Sequence, residues 1–243
     1  MALDFDHIGA DDMARLDALL ADRQADWWGS FYQDRAKPCP FFGTAADESL
    51  SAWVRDGLIA PGRALDLGCG NGRNAIFLAQ RGFAVEAVDY AATAIAWARE
   101  RVAYAGVSVE LRHASVFDLA LARQSFDLVH DSGCFHHLPP HRRASYVRLV
   151  AAALRPGGWF SLVCFRPEGG SGLTDEQVYE RHTLGGGLGY DEARLRAIWS
   201  TQLDVQLIRP MVACGPDSGQ FGESFLWVLL ARKSAAMPDE HQL

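Results

Sequence analysis

Two short stretches hold most of the residues able to do chemistry. The first, Asp66-Leu67-Gly68-Cys69-Gly70-Asn71-Gly72-Arg73, follows a short apolar run and sets three glycines at alternate positions. Glycines suit a chain that turns sharply off a strand and lets a ligand approach its backbone closely. A dinucleotide loop would space them Gly-x-Gly-x-x-Gly and bring a pyrophosphate to helix amides. Here the third glycine comes one residue early, and Asp66 would repel a phosphate, so the loop suits a cationic ligand. A second acid points to a nucleoside. Asp89 ends the β-rich run 83–89, 23 positions beyond Asp66, close to the ~20-residue interval at which a carboxylate holds ribose hydroxyls. The second stretch, Asp131-Ser132-Gly133-Cys134-Phe135-His136-His137, places a carboxylate and two imidazoles just past another apolar run. Asp131, His136 and His137 are the candidate bases. Each also has a plainer reading, Asp131 as a ligand contact and either histidine as a hydrogen-bonded structural residue.

These stretches need a frame that brings strand ends together. Strands are expected at about 63–67, 83–89, 107–112, 126–130 and 158–165, separated by helices near 73–81, 91–105 and 141–154. In the last helix Tyr146, Leu149, Val150 and Ala153 share one face. This βα repeat predicts an α/β fold with a mostly parallel sheet, helices on both faces and ligands beyond the carboxyl ends of the strands. Two further β-rich runs, 204–211 and 224–231, would close the sheet. Before it, Met13, Leu16, Leu19 and Leu20 recur at helical spacing and predict a helix over about 10–25. Trp27, Trp28, Phe31, Tyr32, Phe41 and Phe42 then crowd together, interrupted by Pro38 and Pro40. Some of these rings should pin the segment to the core. Others, with Trp28, Phe31, Tyr32 and Phe42 as candidates beside His136, should line a substrate pocket. After the fifth strand, glycines flank a short helix with the capping-box pair Thr174 and Gln177, and a second helix starts at Asp191. The division expected is a cap over 1–57, a cofactor domain over 58–233 with a lid at 166–200, and a frayed tail over 234–243.

Composition narrows the function. The 243 residues are 49% hydrophobic and 22% charged, enough for one sizeable core. With 23 basic against 30 acidic side chains, the net charge of −7 argues against general nucleic-acid binding. No apolar run is long enough to span a bilayer, and Asp4, Asp6, Asp11 and Asp12 make the start unlike a signal peptide. The five scattered cysteines form no metal or disulfide pattern. The expectation is a cytoplasmic protein without a metal, monomeric or homodimeric, acting on a small molecule rather than at a membrane.

The loop from Asp66 to Arg73 resembles motif I of class I methyltransferases that use S-adenosylmethionine (SAM), a cation whose amino group and sulfonium suit the acid of the loop. The resemblance covers about 60–165 and, more loosely, the final strands. It implies a Rossmann-like, seven-stranded sheet with one antiparallel strand near the end. It also implies SAM as cofactor and methyl transfer to an oxygen, nitrogen or sulfur of a small acceptor, with S-adenosylhomocysteine (SAH) as product. By analogy Gly68, Cys69 and Gly70 approach the methionyl part, Asp66 anchors the loop or the amino group, Asp89 holds the ribose and Tyr90 lies beside the adenine, with Arg73 also among the cofactor-binding residues. Ser115 stands where the family often has an acid for the adenine amine, which shifts that role toward Val116. Asp131 and Ser132 would meet the cofactor near its sulfur, and the Asp-x-Gly segment 131–133 is similar to the thiopurine and tellurite branch. A nicotinamide oxidoreductase and a SAM-binding protein without catalysis are the competing readings.

Overall fold

The computed structural model describes residues 9–21 and 25–235. Its strands are β1 (Arg63–Leu67), β2 (Ala84–Asp89), β3 (Val109–His113), β4 (Phe126–Ser132), β5 (Leu154–Phe165), β6 (Asp204–Pro210) and β7 (Leu226–Arg232). They form one sheet in the order β3-β2-β1-β4-β5-β7-β6. The first five run parallel, and β7 lies antiparallel between β5 and β6. The helices are α1 (Ala10–Ala21), α2 (Ala25–Phe31), α3 (Glu48–Arg55), α4 (Arg73–Gln80), α5 (Ala92–Ala105), α6 (Arg143–Ala153), α7 (Asp175–Glu180) and α8 (Glu192–Trp199).

The strands are apolar on both sides because helices cover both. Ala64, Val85, Ala87 and Leu128 pack with Leu50 and Trp53 of α3 and Ala75 and Leu78 of α4. Leu65, Leu67, Val88 and Val129 face the other way, toward Tyr146 and Val150 of α6 and Leu195 and Trp199 of α8. The strand period of two therefore splits the apolar residues between two cores. The ends of β1, β2 and β4 are level, with Leu67 paired to Val88 on one side and Asp131 on the other. Everything described below lies just past that line, where the strand order reverses direction.

Within the helix read over 10–25, the described residues 10–21 form α1, and the aromatic-rich stretch supplies a helix that was not expected, α2, which lies on α5 with the Thr93 hydroxyl donating to the Gly29 carbonyl at 2.9 Å. Of the segment 166–200, read as a lid, the loop at Leu188 meets the turn after β4, its amide donating to the His136 carbonyl at 2.8 Å. Leu195 and Trp199 of α8 are fully buried, so α8 is the helix that covers the sheet between β5 and β6. The capping box at Thr174 and Gln177 forms as read. The expectations that rest on Asp4, Asp6 and residues 236–243 lie outside the described residues.

Candidate active site

Leaving β1, the chain turns back under β2. The amides of Gly68 and Cys69 both donate to the Val88 carbonyl at 2.9 Å. Gly68 and Gly70 hold φ of +71° and +54°, which glycine adopts without a steric penalty. A Cβ would also clash at either place, lying 2.7 Å from the Cys134 Cβ at Gly68 and 2.6 Å from the Tyr32 hydroxyl at Gly70. The Asp89 carboxylate holds the turn from the other side, accepting from the Gly70 and Ala91 amides at 2.9 Å each. Asp66, 2% exposed, keeps its Oδ2 without a hydrogen-bond donor among the described residues. Burial pushes its carboxyl up to about 6.

A cavity of about 560 Å³ opens over this loop. At one end are Asp89, Tyr90, Ser115, Val116 and Phe117, in the middle Asp66 and Gly68–Asn71, and at the other end Trp28, His136, His137, Phe165 and Phe225. Of the residues expected here, Cys69, Arg73, Ser132 and Tyr32 also line it. The Ser115 hydroxyl already accepts from the Phe117 amide at 3.2 Å, capping the turn that presents Val116 and Phe117.

Arg73 is held from below by an ion pair with Asp47 at 2.6 Å, and it donates to the Ala45 carbonyl at 3.0 Å and the Ser132 hydroxyl at 2.9 Å. Asp47 is fully buried and also meets Asn74 at 3.1 Å and His130 Nε2 at 3.1 Å. The Arg73 guanidinium holds the Asp47 carboxyl well below the ordinary carboxylate range, against the pull of burial. This network fastens residues 41–47 to the cofactor loop, because the Asn71 amide also donates to the Phe42 carbonyl at 3.1 Å.

Three expected residues are not on the cavity. Asp131 is fully buried beneath it, accepting from the Tyr146 hydroxyl at 2.6 Å and from the Cys134 and Phe135 amides at 2.8 and 3.0 Å. Its side chain alternates to the α6 side of the sheet and ties down the turn after β4, while burial pushes its carboxyl up to about 7. Phe31 and Phe42 pack edge-to-face within the aromatic cluster, at 5.3 Å from each other and with Phe42 5.0 Å from Trp97 of α5. They pin the segment so that Trp28 and Tyr32 can face inward. Other wall residues carry no local signal in the sequence. Phe221, Glu223 and Phe225 come from the turn before β7, and Asp17 reaches the rim from α1, where it pairs with Arg142 and with His141 at 2.9 Å.

Burial drives both histidine rings toward neutrality, His137 down to about 3 and His136 well below its usual value. The unfolded chain, with rings near the ordinary value of about 6.5, takes up protons first. The stability these rings contribute is therefore full above about pH 6.5 and is lost as pH falls from there toward 3. Asp66 and Asp131 oppose this, since the folded state keeps protons that unfolded carboxyls release. His137→Phe should lose less stability than the wild type between pH 7.5 and pH 5, as read from urea midpoints. Parallel pH dependences would show that His137 is not buried as a neutral ring.

Residues 64–158 match the methyltransferase domain family. That stretch of the chain is similar to a methyltransferase domain. A ubiquinone biosynthesis O-methyltransferase of Bordetella avium is 32% identical over 151 residues, covering 61% of this chain and 59% of that protein. An uncharacterized methyltransferase of Synechocystis sp. is 37% identical over 106 residues, covering 43% of this chain and 48% of the other. This chain thus spans about half the length of the curated relatives it matches. Among solved structures, the 1,6-didemethyltoxoflavin-N1-methyltransferase of Burkholderia thailandensis has the same fold, with a TM-score of 0.65, 22% identity and 94% and 92% of the two chains covered. The match supports the SAM class over a nicotinamide enzyme and does not single out the thiopurine and tellurite branch. The residues around the cavity fit SAM on their own chemistry. The Asp66 carboxylate lines the cavity, Asp89 has lone pairs beyond its bonds to the Gly70 and Ala91 amides, and the loop amides lie between them.

Proposed function

We propose that this protein is a SAM-dependent methyltransferase acting on a small, flat acceptor. The observation that carries this reading is one uninterrupted cavity joining the Asp89 end, suited to an adenosyl group, to a chamber walled by aromatic rings. Bound SAM supplies an electrophilic methyl group, which leaves with the methyl–sulfur electron pair retained on sulfur. Asp89 and the Gly68–Asn71 backbone bind and orient the cofactor. Trp28, Phe165 and Phe225 exclude water and hold an acceptor ring, which favours displacement by alignment. The relatives include enzymes named for ubiquinone biosynthesis and for 1,6-didemethyltoxoflavin, and an aromatic chamber supports an acceptor of comparable flatness. Among the described residues no helix is long and apolar enough to cross a membrane, and the acidic composition supports a cytoplasmic location.

Calorimetric titration with SAM, SAH and NAD tests the cofactor, and release of SAH in the presence of phenols, heteroaromatic amines and thiols tests the transfer. Binding of SAM and SAH but not NAD, with SAH released for at least one acceptor class, is expected. A protein that binds neither SAM nor SAH overturns the proposal.

A further inference from the structure

The two histidines of the acceptor chamber have unequal nitrogens. The Phe165 amide donates to His136 Nδ1 at 3.1 Å, and a backbone N–H can only donate. Nδ1 therefore carries a lone pair, and the proton of the neutral ring sits on Nε2. The ring has no freedom to exchange these roles. It lies flat on Phe165 with centroids 3.7 Å apart, is 3% exposed, and its own carbonyl accepts from the Leu188 amide at 2.8 Å. Nε2 has no partner among the described residues, yet it is not one of the polar atoms sealed from solvent. It opens on the cavity that the ring lines. His136 thus presents a proton to the chamber and has no lone pair there with which to take one.

His137 differs. Neither of its nitrogens has a hydrogen-bond partner among the described residues, and neither is sealed. Its position is set by packing alone, edge-on to Trp28 at 4.6 Å, with Gly187 leaving room at Cε1. It keeps a lone pair free in the chamber. The charges around the pair complete the picture. The two arginines on the cavity wall, Arg73 and Arg142, are engaged with Asp47 and Asp17, while the Glu223 carboxylate has no partner among the described residues. Among the described residues no free cation on the cavity wall awaits an anionic acceptor, and Glu223 would repel one.

Resting on the methyltransferase reading above, we propose that His136 is a fixed hydrogen-bond donor that selects the acceptor, and that His137 receives the acceptor's proton. The acceptor is then an uncharged ring compound carrying a carbonyl or similar hydrogen-bond acceptor beside its nucleophilic hydroxyl or N–H. As the nucleophile forms its bond to the methyl carbon and the methyl–sulfur bond breaks, positive charge moves onto the nucleophile and makes its O–H or N–H strongly acidic, so that the proton passes even to the weakly basic His137 ring, from which solvent removes it. His136 Nε2–H holds the neighbouring carbonyl and so fixes which atom faces the methyl group.

The test begins without an acceptor. Long-range proton–nitrogen correlation spectra of the ¹⁵N-histidine-labelled wild-type protein at pH 7, with SAH bound, should show His136 protonated at Nε2 and unprotonated at Nδ1. The probes 2-hydroxyacetophenone, 4-hydroxyacetophenone and salicylate are then titrated into the SAH complex. One well-placed hydrogen bond of about 1 to 1.5 kcal/mol gives a preference of roughly tenfold for the ortho ketone over the para isomer, and the anionic salicylate should bind weakest. His136→Gln, whose amide N–H takes the place of Nε2–H, should keep the preference, and His136→Phe should lose it. A protonated Nδ1, equal binding of the two ketones, or salicylate binding best would each overturn the assignment. Failure of SAH itself to bind would instead overturn the methyltransferase reading.

Discussion

Replacing Asp47 by alanine lowers the free energy of unfolding by about 3 to 5 kcal/mol, the cost of leaving one buried charge without its partner. The carboxylate is fully buried and is met by Arg73 at 2.6 Å, Asn74 at 3.1 Å and His130 at 3.1 Å. Its removal leaves Arg73, itself 6% exposed, without its anionic partner. Since a domain is stable by only about 5 to 15 kcal/mol, this is a large share of the total. Asp47→Asn keeps the shape and some of the hydrogen bonds, and should fall between the wild type and the alanine variant. Urea unfolding measures both, and an alanine variant within 1 kcal/mol of the wild type would mean that the network does not hold residues 41–47 in place.

The second large effect is on cofactor affinity. Asp89→Ala removes the carboxylate that accepts from the Gly70 and Ala91 amides and would also accept from ribose hydroxyls. Hydrogen bonds to a charged group contribute about 1.5 to 3 kcal/mol each, so losing the ribose contacts and loosening the loop together should weaken SAH binding by roughly 100-fold or more. Calorimetry reads this directly. An Asp89→Ala variant that binds SAH as tightly as the wild type would remove Asp89 from the cofactor site.

The parts of this site that were legible in the sequence are those whose signal is local. The strand, the three glycines and the acid of the next strand are set within 27 residues, from Arg63 to Asp89, and they fold as one unit because each strand end fixes the following turn. The capping box at Thr174 and Gln177 is equally local. The aromatic stretch was half legible, since ring type does not say which face of α2 turns inward. Trp28 and Tyr32 reach the cavity while Phe31 and Phe42 are used up in packing. Asp131 was misplaced because its position at a strand end suggests the cavity, whereas the two-residue period turns it to the α6 side. Asp47, Asn74 and His130 form one network across 83 residues of chain, and no spacing rule relates them. Phe221, Glu223 and Phe225 lie in a turn whose meaning depends on β7 threading back between β5 and β6.

That threading has a consequence for how the protein is made. Residues 47 and 221 form a bridge between parallel segments, and Glu48 pairs with Arg209 across 161 residues at 2.6 Å. The acceptor chamber is therefore closed by residues 221–226, synthesised well after the cofactor loop, whereas the adenosyl end is complete once β4 and the turn after it have emerged. A ribosome adding about 5 to 20 residues per second needs several seconds to pass from Phe165 to Phe225. During that interval the nascent chain holds a cofactor loop without a finished wall opposite it, so cofactor can be recognised before any acceptor can be aligned. The wall opposite the loop is finished only when the segment between β6 and β7 docks against Asp47 and Glu48.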